Sequence, residues 1–341
     1  MPDRIIHLHP TLQCNLACTH CYSESDPWKK TALDPEELIR GLQLLRAEGY
    51  SLISFSGGEP LVYRALAKVV KASKGLGYRV SMISNGLLVT ARNQALLSLF
   101  DGIAISFDGM AQSHNAIRGR PDAFDRASSA IRWLADNGMP CAAAISLTRD
   151  AIPELPDLAD HLVNCGARAL QIRPVARAGR ARTLDDDVFY SAADRARLYL
   201  VQLALQQELG DKVKVHCDLA LARGLWQQRE RYAGLLASCE SNEQAGRPLA
   251  DLVNPLVITE TGVLKPIAYD FEAGFDLGNL AGLTVNSLSA YKQGEVSAFR
   301  QLVGQALAGL KDSTSLVDWF DHCTRLSEKQ AIAPPDQAKL R

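Results

Sequence analysis

Cys14, Cys18 and Cys21 fall in the run CNLACTHCY at spacing C-x3-C-x2-C, with no fourth cysteine beside them. Thiolates are soft donors that take zinc or iron–sulfur clusters. Structural zinc is closed by four protein ligands, and catalytic zinc keeps its open position through histidine or mixed ligands. A four-iron cubane held by three thiolates suits this set better. It leaves one iron without a protein ligand, free to bind a small molecule.

Four other short runs carry residues that can do chemistry: SGGEP at 56–60, SNG at 84–86, SFDG at 106–109 and RPV at 173–175. Each has a bland reading when taken alone. Ser84-Asn85-Gly86 is an ordinary turn signal, GGEP a common turn, Arg118 a solvated charge, and Asp108 a cap on the turn after a strand. His7 and His9 alternate on one short strand and receive no role. The functional reading depends on whether these runs meet.

The elements that must bring them together follow a steady rhythm. Apolar runs at 4–10, 51–60, 79–86, 102–109, 141–148 and 167–175 read as strands, the second running into a glycine turn, and amphipathic helical patterns separate them. The helix at 34–49 has Asp34 as N-cap, Pro35 at the first position and Gly49 at its end. Strands alternating with helices pair in parallel. Six such units within about 175 residues are short of the roughly 250 that a closed eight-fold barrel needs. The expected fold is therefore α/β, a partial (β/α)6 TIM-like barrel, with the unusual residues at the C-terminal strand ends. The polar stretch at 176–187 should line or cross that mouth, and a helix at about 189–209 leads to a further strand, KVKVHC.

The organisation expected is a barrel core over 1–217 and an α+β appendage over 218–341, with a β-hairpin around Thr261-Gly262 and helices at 287–309 and 315–329. Among 341 residues, 37 Lys and Arg face 38 Asp and Glu, without a basic run that would mark nucleic acid as a partner. No apolar stretch reaches the eighteen or so residues of a membrane span, and the first residues lack a signal-peptide pattern, so a cytoplasmic address is expected. The eight cysteines should remain reduced there. Cys141 and Cys165 read as small buried apolar groups.

The cysteine run resembles the C-x3-C-x-φ-C motif of the radical S-adenosylmethionine (SAM) superfamily, with His20 at the φ place. SGGEP resembles that superfamily's GGE motif. The resemblance implies a single 4Fe–4S cluster on Cys14, Cys18 and Cys21, with SAM on the open iron. It also implies reductive cleavage of SAM to a radical that takes a hydrogen atom from substrate. Carried over residue by residue, it gives Gly57, Gly58 and Glu59 to the methionine ammonium. Ser84 and Asn85 go to the ribose, and His20 to the neighbourhood of the adenine. The run SFDGMAQSHNAIRGRPDAFDRA at 106–127 is similar to a stretch of peptide-modifying members, and it gives Ser106 and Arg118 to the SAM carboxylate.

The region 239–280 resembles the SPASM/twitch region of the same branch, but Ile267 stands where those proteins have a hairpin cysteine. Cys217, Cys239 and Cys323 lack paired spacing, so a second cluster is not expected. Two enzymatic functions follow. One modifies a ribosomally made peptide, with a separate peptide-recognition protein as a possible partner; the other modifies a small metabolite such as a sugar, nucleoside or cofactor precursor. Both need a reduced flavodoxin or ferredoxin-like donor. A non-catalytic metal-binding scaffold is the third reading.

Overall fold

The structure is a computed structural model, and it describes residues 3–229 and 246–332. Nine strands form one sheet: β1 (Ile5–Leu8), β2 (Leu52–Phe55), β3 (Arg79–Ser84), β4 (Gly102–Phe107), β5 (Cys141–Leu147), β6 (Ala169–Pro174), β7 (Lys214–Cys217), β9 (Leu256–Ile258) and β10 (Leu264–Pro266). Their spatial order is β10-β9-β1-β2-β3-β4-β5-β6-β7. Neighbours from β9 to β7 run parallel, and only β10 is antiparallel. The order is linear, so the sheet stays an open barrel.

The crossover helices are α1 (Pro35–Ala47), α2 (Leu66–Gly75), the short α3 (Gln94–Leu97), α5 (Ala123–Asp136), α6 (Leu155–Asn164) and α7 (Ala192–Leu209). Asp34 caps α1 by accepting from the amides of Glu36 and Glu37, as its sequence position implied. Helix α4 (Ala111–Arg118) has no counterpart among the expected elements. It ends at Arg118 because Gly119 follows in the left-handed conformation at φ 64°.

Alternation along the strands separates two environments. Ile53, Phe55, Val80, Met82, Ile103, Ile105, Phe107, Ile145 and Ile172 are buried on the face that the helices cover. Fully burying each such side chain contributes about 1.5–3 kcal/mol. The opposite face carries small and polar groups: Ser81, Ala104, Ser106, Ala142, Ala144, Ser146, Gln171 and Arg173 are all half-buried. Short side chains leave this lumen unfilled, unlike the packed interior of a closed barrel.

The hairpin expected in the appendage forms as β9 and β10, with Gly262 at φ 81° in its turn. It extends the barrel sheet itself, because Ile6, His7 and Leu8 of β1 pair with Leu256, Val257 and Ile258. Beyond it lie helices Val285–Gln293, Glu295–Ala308 and Trp319–Ile332. A small second sheet joins β8 (Leu219–Leu221) to β11 (Leu316–Asp318), so the start expected for the last helix is a strand.

Candidate functional site

The cysteine loop leaves β1 at His9 and returns to α1. Its two limbs are tied by backbone bonds from Leu12 to the Thr31 carbonyl at 3.2 Å, from Cys14 to Asp26 at 3.0 Å and from Leu33 to Pro10 at 2.9 Å. At its tip Cys14, Cys18 and Cys21 pack with Leu16 and Leu87 in an apolar cluster separate from the main core. Cys21 Sγ accepts from the Ser25 amide at 3.3 Å, and the Ser23 hydroxyl lies 3.5 Å from it. Burial, with Glu59 next, pushes the Cys14 thiol up to about 12. Burial also raises Cys18, against the guanidinium of Arg118.

The glycine turn after β2 lies under this loop. Gly57 has φ 92°, and a Cβ on it would stand 2.9 Å from the Thr11 carbonyl oxygen. A Cβ on Gly58 would stand 2.8 Å from the Gln13 carbonyl carbon. The amides of Gly58 and Glu59 donate to Thr11 and Gln13 at 2.9 and 3.0 Å. The two glycines therefore permit backbone to meet backbone, fixing the turn against the cysteine loop. Glu59 is 1% exposed and accepts from the Leu61 amide, the Ser84 hydroxyl and the Asn85 amide at 3.1, 3.0 and 2.9 Å. Burial pushes its carboxyl up and those donors pull it down.

Ser84 and Asn85, expected at the ribose, have first partners within the chain. Ser84 holds Glu59, and the Asn85 amide nitrogen donates to Asn15 at 2.7 Å with Cys14 Sγ at 3.8 Å. Ser106 stands on the lumen face of β4, level with Ala144 of β5.

Asp108 is more than a turn cap. Its side chain is fully buried and accepts from Arg118 Nε at 2.5 Å and Nη2 at 3.0 Å. His20 Nε2 lies 2.7 Å away, and the Asp108 amide donates to His114 Nδ1 at 3.2 Å. Against the cost of burial, the Arg118 and His20 charges and the hydrogen bonds hold the carboxyl well below the usual range. His20, expected near an adenine, is thus anchored on Asp108, and its Nδ1 is buried without a partner. The Thr19 amide, donating to Ile117 at 3.0 Å, ties the cysteine loop to α4.

Several groups at the mouth were missed in the sequence. His9 stacks on Tyr269 with ring centroids 4.6 Å apart, and the Tyr22 hydroxyl bridges His9 Nε2 and Ser56 at 3.3 and 3.2 Å. Burial pushes His9 down to about 3. Arg173 pairs with Asp218 at 3.3 Å on the lumen side. Asp318 is nearby, and burial, with Asp218 second, pushes it up to about 6. Alternation could have found Arg173, since Gln171 and Arg173 share the face opposite Ile172.

A cavity of about 340 Å³ opens beside Asp318, bounded by Arg149, Arg177, Arg195 and Arg325 among others. A second, of about 730 Å³, reaches Tyr22 and Tyr269 from the outside. Cys217 pairs in register with Ile172, on the helix-covered face, and Cys323 is fully buried. Ile267 is 7% exposed with φ 50°, a conformation costly for a β-branched residue. Cys239 lies outside the described residues. The described cysteines are all free thiols.

The fold puts this chain among TIM-like barrels that do their chemistry at the C-terminal ends of their strands. Residues 8–162 match the Radical SAM superfamily, and this segment is a radical SAM domain. The AdoMet-dependent heme synthase of Oleidesulfovibrio alaskensis is 31% identical over 190 residues, 54% of this chain and 49% of the relative. The sporulation killing factor maturation protein SkfB of Bacillus subtilis is 30% identical over 185 residues, 52% of this chain and 45% of the relative. The chain thus spans about half the length of the curated relatives it matches. The crystal structure of Streptococcus suis SuiB bound to S-adenosylmethionine superposes with TM-score 0.67 at 14% identity, covering 91% of this chain and 71% of that one. That likeness is one of fold.

A radical SAM domain implies a 4Fe–4S cluster and SAM, and the donor set suits the cluster. Burial disfavours ionisation of the Cys14 and Cys18 thiols, which iron's positive charge would offset. Among the described residues, no three His, Cys, Asp or Glu side chains converge on one ion. A cubane does not require that, because each thiolate takes a separate iron. No described helix is long and apolar enough to cross a membrane.

Proposed function

We propose that this chain is a radical SAM enzyme that takes a hydrogen atom from a ribosomally made peptide. The observation that carries the reading is the meeting of Cys14, Cys18, Cys21, Glu59 and Arg118 at one barrel mouth over a lumen of short side chains. The SkfB relative supports the peptide substrate. When bound, the cluster and SAM supply reductive cleavage of the sulfonium and hydrogen-atom abstraction. The chain's part is to hold and orient. Cys14, Cys18 and Cys21 would ligate iron. Glu59, oriented by Ser84 and Asn85, offers a carboxylate to the methionine ammonium beside Gly57 and Gly58. Arg118, fixed on Asp108, offers its remaining N–H groups and Ser106 its hydroxyl to the methionine carboxylate. Asp108 would keep His20 at the same site, and a reduced flavodoxin or ferredoxin-like protein would deliver the electron.

A small-metabolite substrate is the second reading. The heme synthase relative favours it. Anaerobically reconstituted, reduced protein should make 5′-deoxyadenosine from SAM and hold roughly four iron and four sulfide per chain. Roughly eight would indicate a second cluster. Cys18→Ala should lose both the brown colour and SAM cleavage. A wild type that makes no 5′-deoxyadenosine leaves a metal-binding scaffold instead. Mass spectrometry of a co-expressed neighbouring peptide separates the two substrate classes: a mass change supports the peptide, and none supports the metabolite.

A further inference from the structure

The segment after β6 crosses the mouth and clamps the cysteine loop through one residue. The Arg180 amide donates to the Cys21 carbonyl at 3.0 Å, its Nε to the Cys18 carbonyl at 2.9 Å, and its Nη2 to the Ser25 carbonyl at 2.5 Å. Every acceptor belongs to the loop that carries the thiols. Gly179 lets the strap come this close: it has φ 51°, and a Cβ there would stand 2.5 Å from the Cys21 carbonyl oxygen and collide with that of Tyr22. Ala178 and Ala181, on either side, are 2% and 0% exposed, so the strap is seated.

The strap is anchored beyond the loop as well. Arg177 lies over the Phe189 ring at 4.0 Å and pairs with Asp186 at 2.6 Å. Arg182 reaches Glu328 of the last helix at 2.9 Å. The Arg180 charge is therefore delivered to the loop on a braced segment. Loss of solvent makes it stronger than an exposed arginine's. Arg118 is saturated on one side by Asp108, whereas Arg180 donates to the neutral carbonyls of Cys21, Cys18 and Ser25.

We propose that Arg180 is a positioning residue for the cluster: it holds the cysteine loop in its ligating shape, and its charge favours the reduced cluster. The proposal rests on the radical SAM reading above. A one-electron reduction adds a negative charge to a cluster that three thiolates already make anionic. A guanidinium beside Cys18 offsets that added charge. Carbonyl anchoring also keeps the loop from fraying when no metal is present.

The test compares wild type, Arg180→Gln and Arg180→Lys, each reconstituted without oxygen and titrated with dithionite at controlled potential. Electron paramagnetic resonance reads the reduced fraction, and hydrogen exchange on the apo-proteins reads amides 18–25. Arg180→Gln, folded by circular dichroism, should lower the reduced-to-oxidised ratio at fixed potential roughly tenfold. Its loop amides should exchange roughly tenfold faster. Arg180→Lys keeps the charge but not the fork, so the ratio should return towards wild type while exchange stays fast. A wild type that assembles no cluster sinks the radical SAM reading and the redox half of this one together. A wild type with its cluster and an Arg180→Gln variant unchanged in both readouts overturns the clamp alone.

Discussion

Asp108→Asn isolates the electrostatics beneath the cysteine loop. Asp108 is 0% exposed and Arg118 9%, joined by two hydrogen bonds of 2.5 and 3.0 Å. Asparagine keeps the shape and removes the charge, leaving a buried guanidinium uncompensated. Removing one partner of such a pair costs about 3–5 kcal/mol. For 341 residues at about 2.1 cal/mol/K each, the unfolding entropy is roughly 0.7 kcal/mol/K, so the thermal midpoint of the apo-protein should fall by about 4–7 °C. The pH dependence gives a second signature. Asp108 is depressed in the fold, so its contribution is present above the ordinary carboxylate pKa of about 4 and fades as pH falls through the lower folded value. The stability gap between wild type and variant should therefore shrink below about pH 4. Replacing the pair together, Asp108→Leu with Arg118→Met, should recover most of the loss. Urea unfolding followed by circular dichroism measures all three proteins. A gap under about 1 kcal/mol, or one that does not change with pH, would refute the reasoning.

Three further outcomes follow from the geometry. Gly58→Ala pushes a methyl group into the Gln13 backbone, so it should destabilise the apo-protein by about 2–4 kcal/mol and lower iron uptake, read by urea unfolding and iron assay. Ile267→Gly relieves a left-handed β-branched residue, worth about 1–2 kcal/mol, while losing about 1.5–3 kcal/mol of burial. It should therefore stay within about 2 kcal/mol of wild type, whereas Ile172→Gly in β6 should cost at least about 4. Asp318 is raised to about 6, so the fold favours its protonated form: its contribution is complete below about pH 4 and is lost as pH rises through 6. Asp318→Asn should be more stable than wild type at pH 8 by about 1–2 kcal/mol, with the gain vanishing near pH 4, as thermal scans at the two pH values would show.

What the sequence made legible was local or periodic. Asp34-Pro35 announces α1 because capping chemistry involves neighbouring residues. The alternation around Ile172 announces a strand because it follows the pleat. The motif cysteines and the glycine turn could be placed at one mouth because parallel strands share a direction. Groups whose meaning depends on distant partners were opaque. Ser84 looks like an exposed turn until Glu59 is seen to need it, and Asp108 like a cap until Arg118 and His20 converge on it. Arg180 sits in a polar stretch with nothing to mark it, because its partners are backbone carbonyls that no side-chain pattern reveals. The hairpin at 256–266 was readable, but its docking on β1 was not, since strand pairing at that separation leaves no local trace.

That docking has a consequence for how the molecule is made. β1 lies inside the sheet, with β2 on one side and β9 on the other, and the His9 amide donates to Ile258 at 2.9 Å. A ribosome releases β1 first and β9 some 250 residues later, at about 5–20 residues per second. For tens of seconds the root of the thiol-bearing loop hangs from a strand with one raw edge, which is prone to pairing with another nascent chain. A chain cut after residue 217 would never cover that edge. The segment that carries β9 is therefore part of what completes β1.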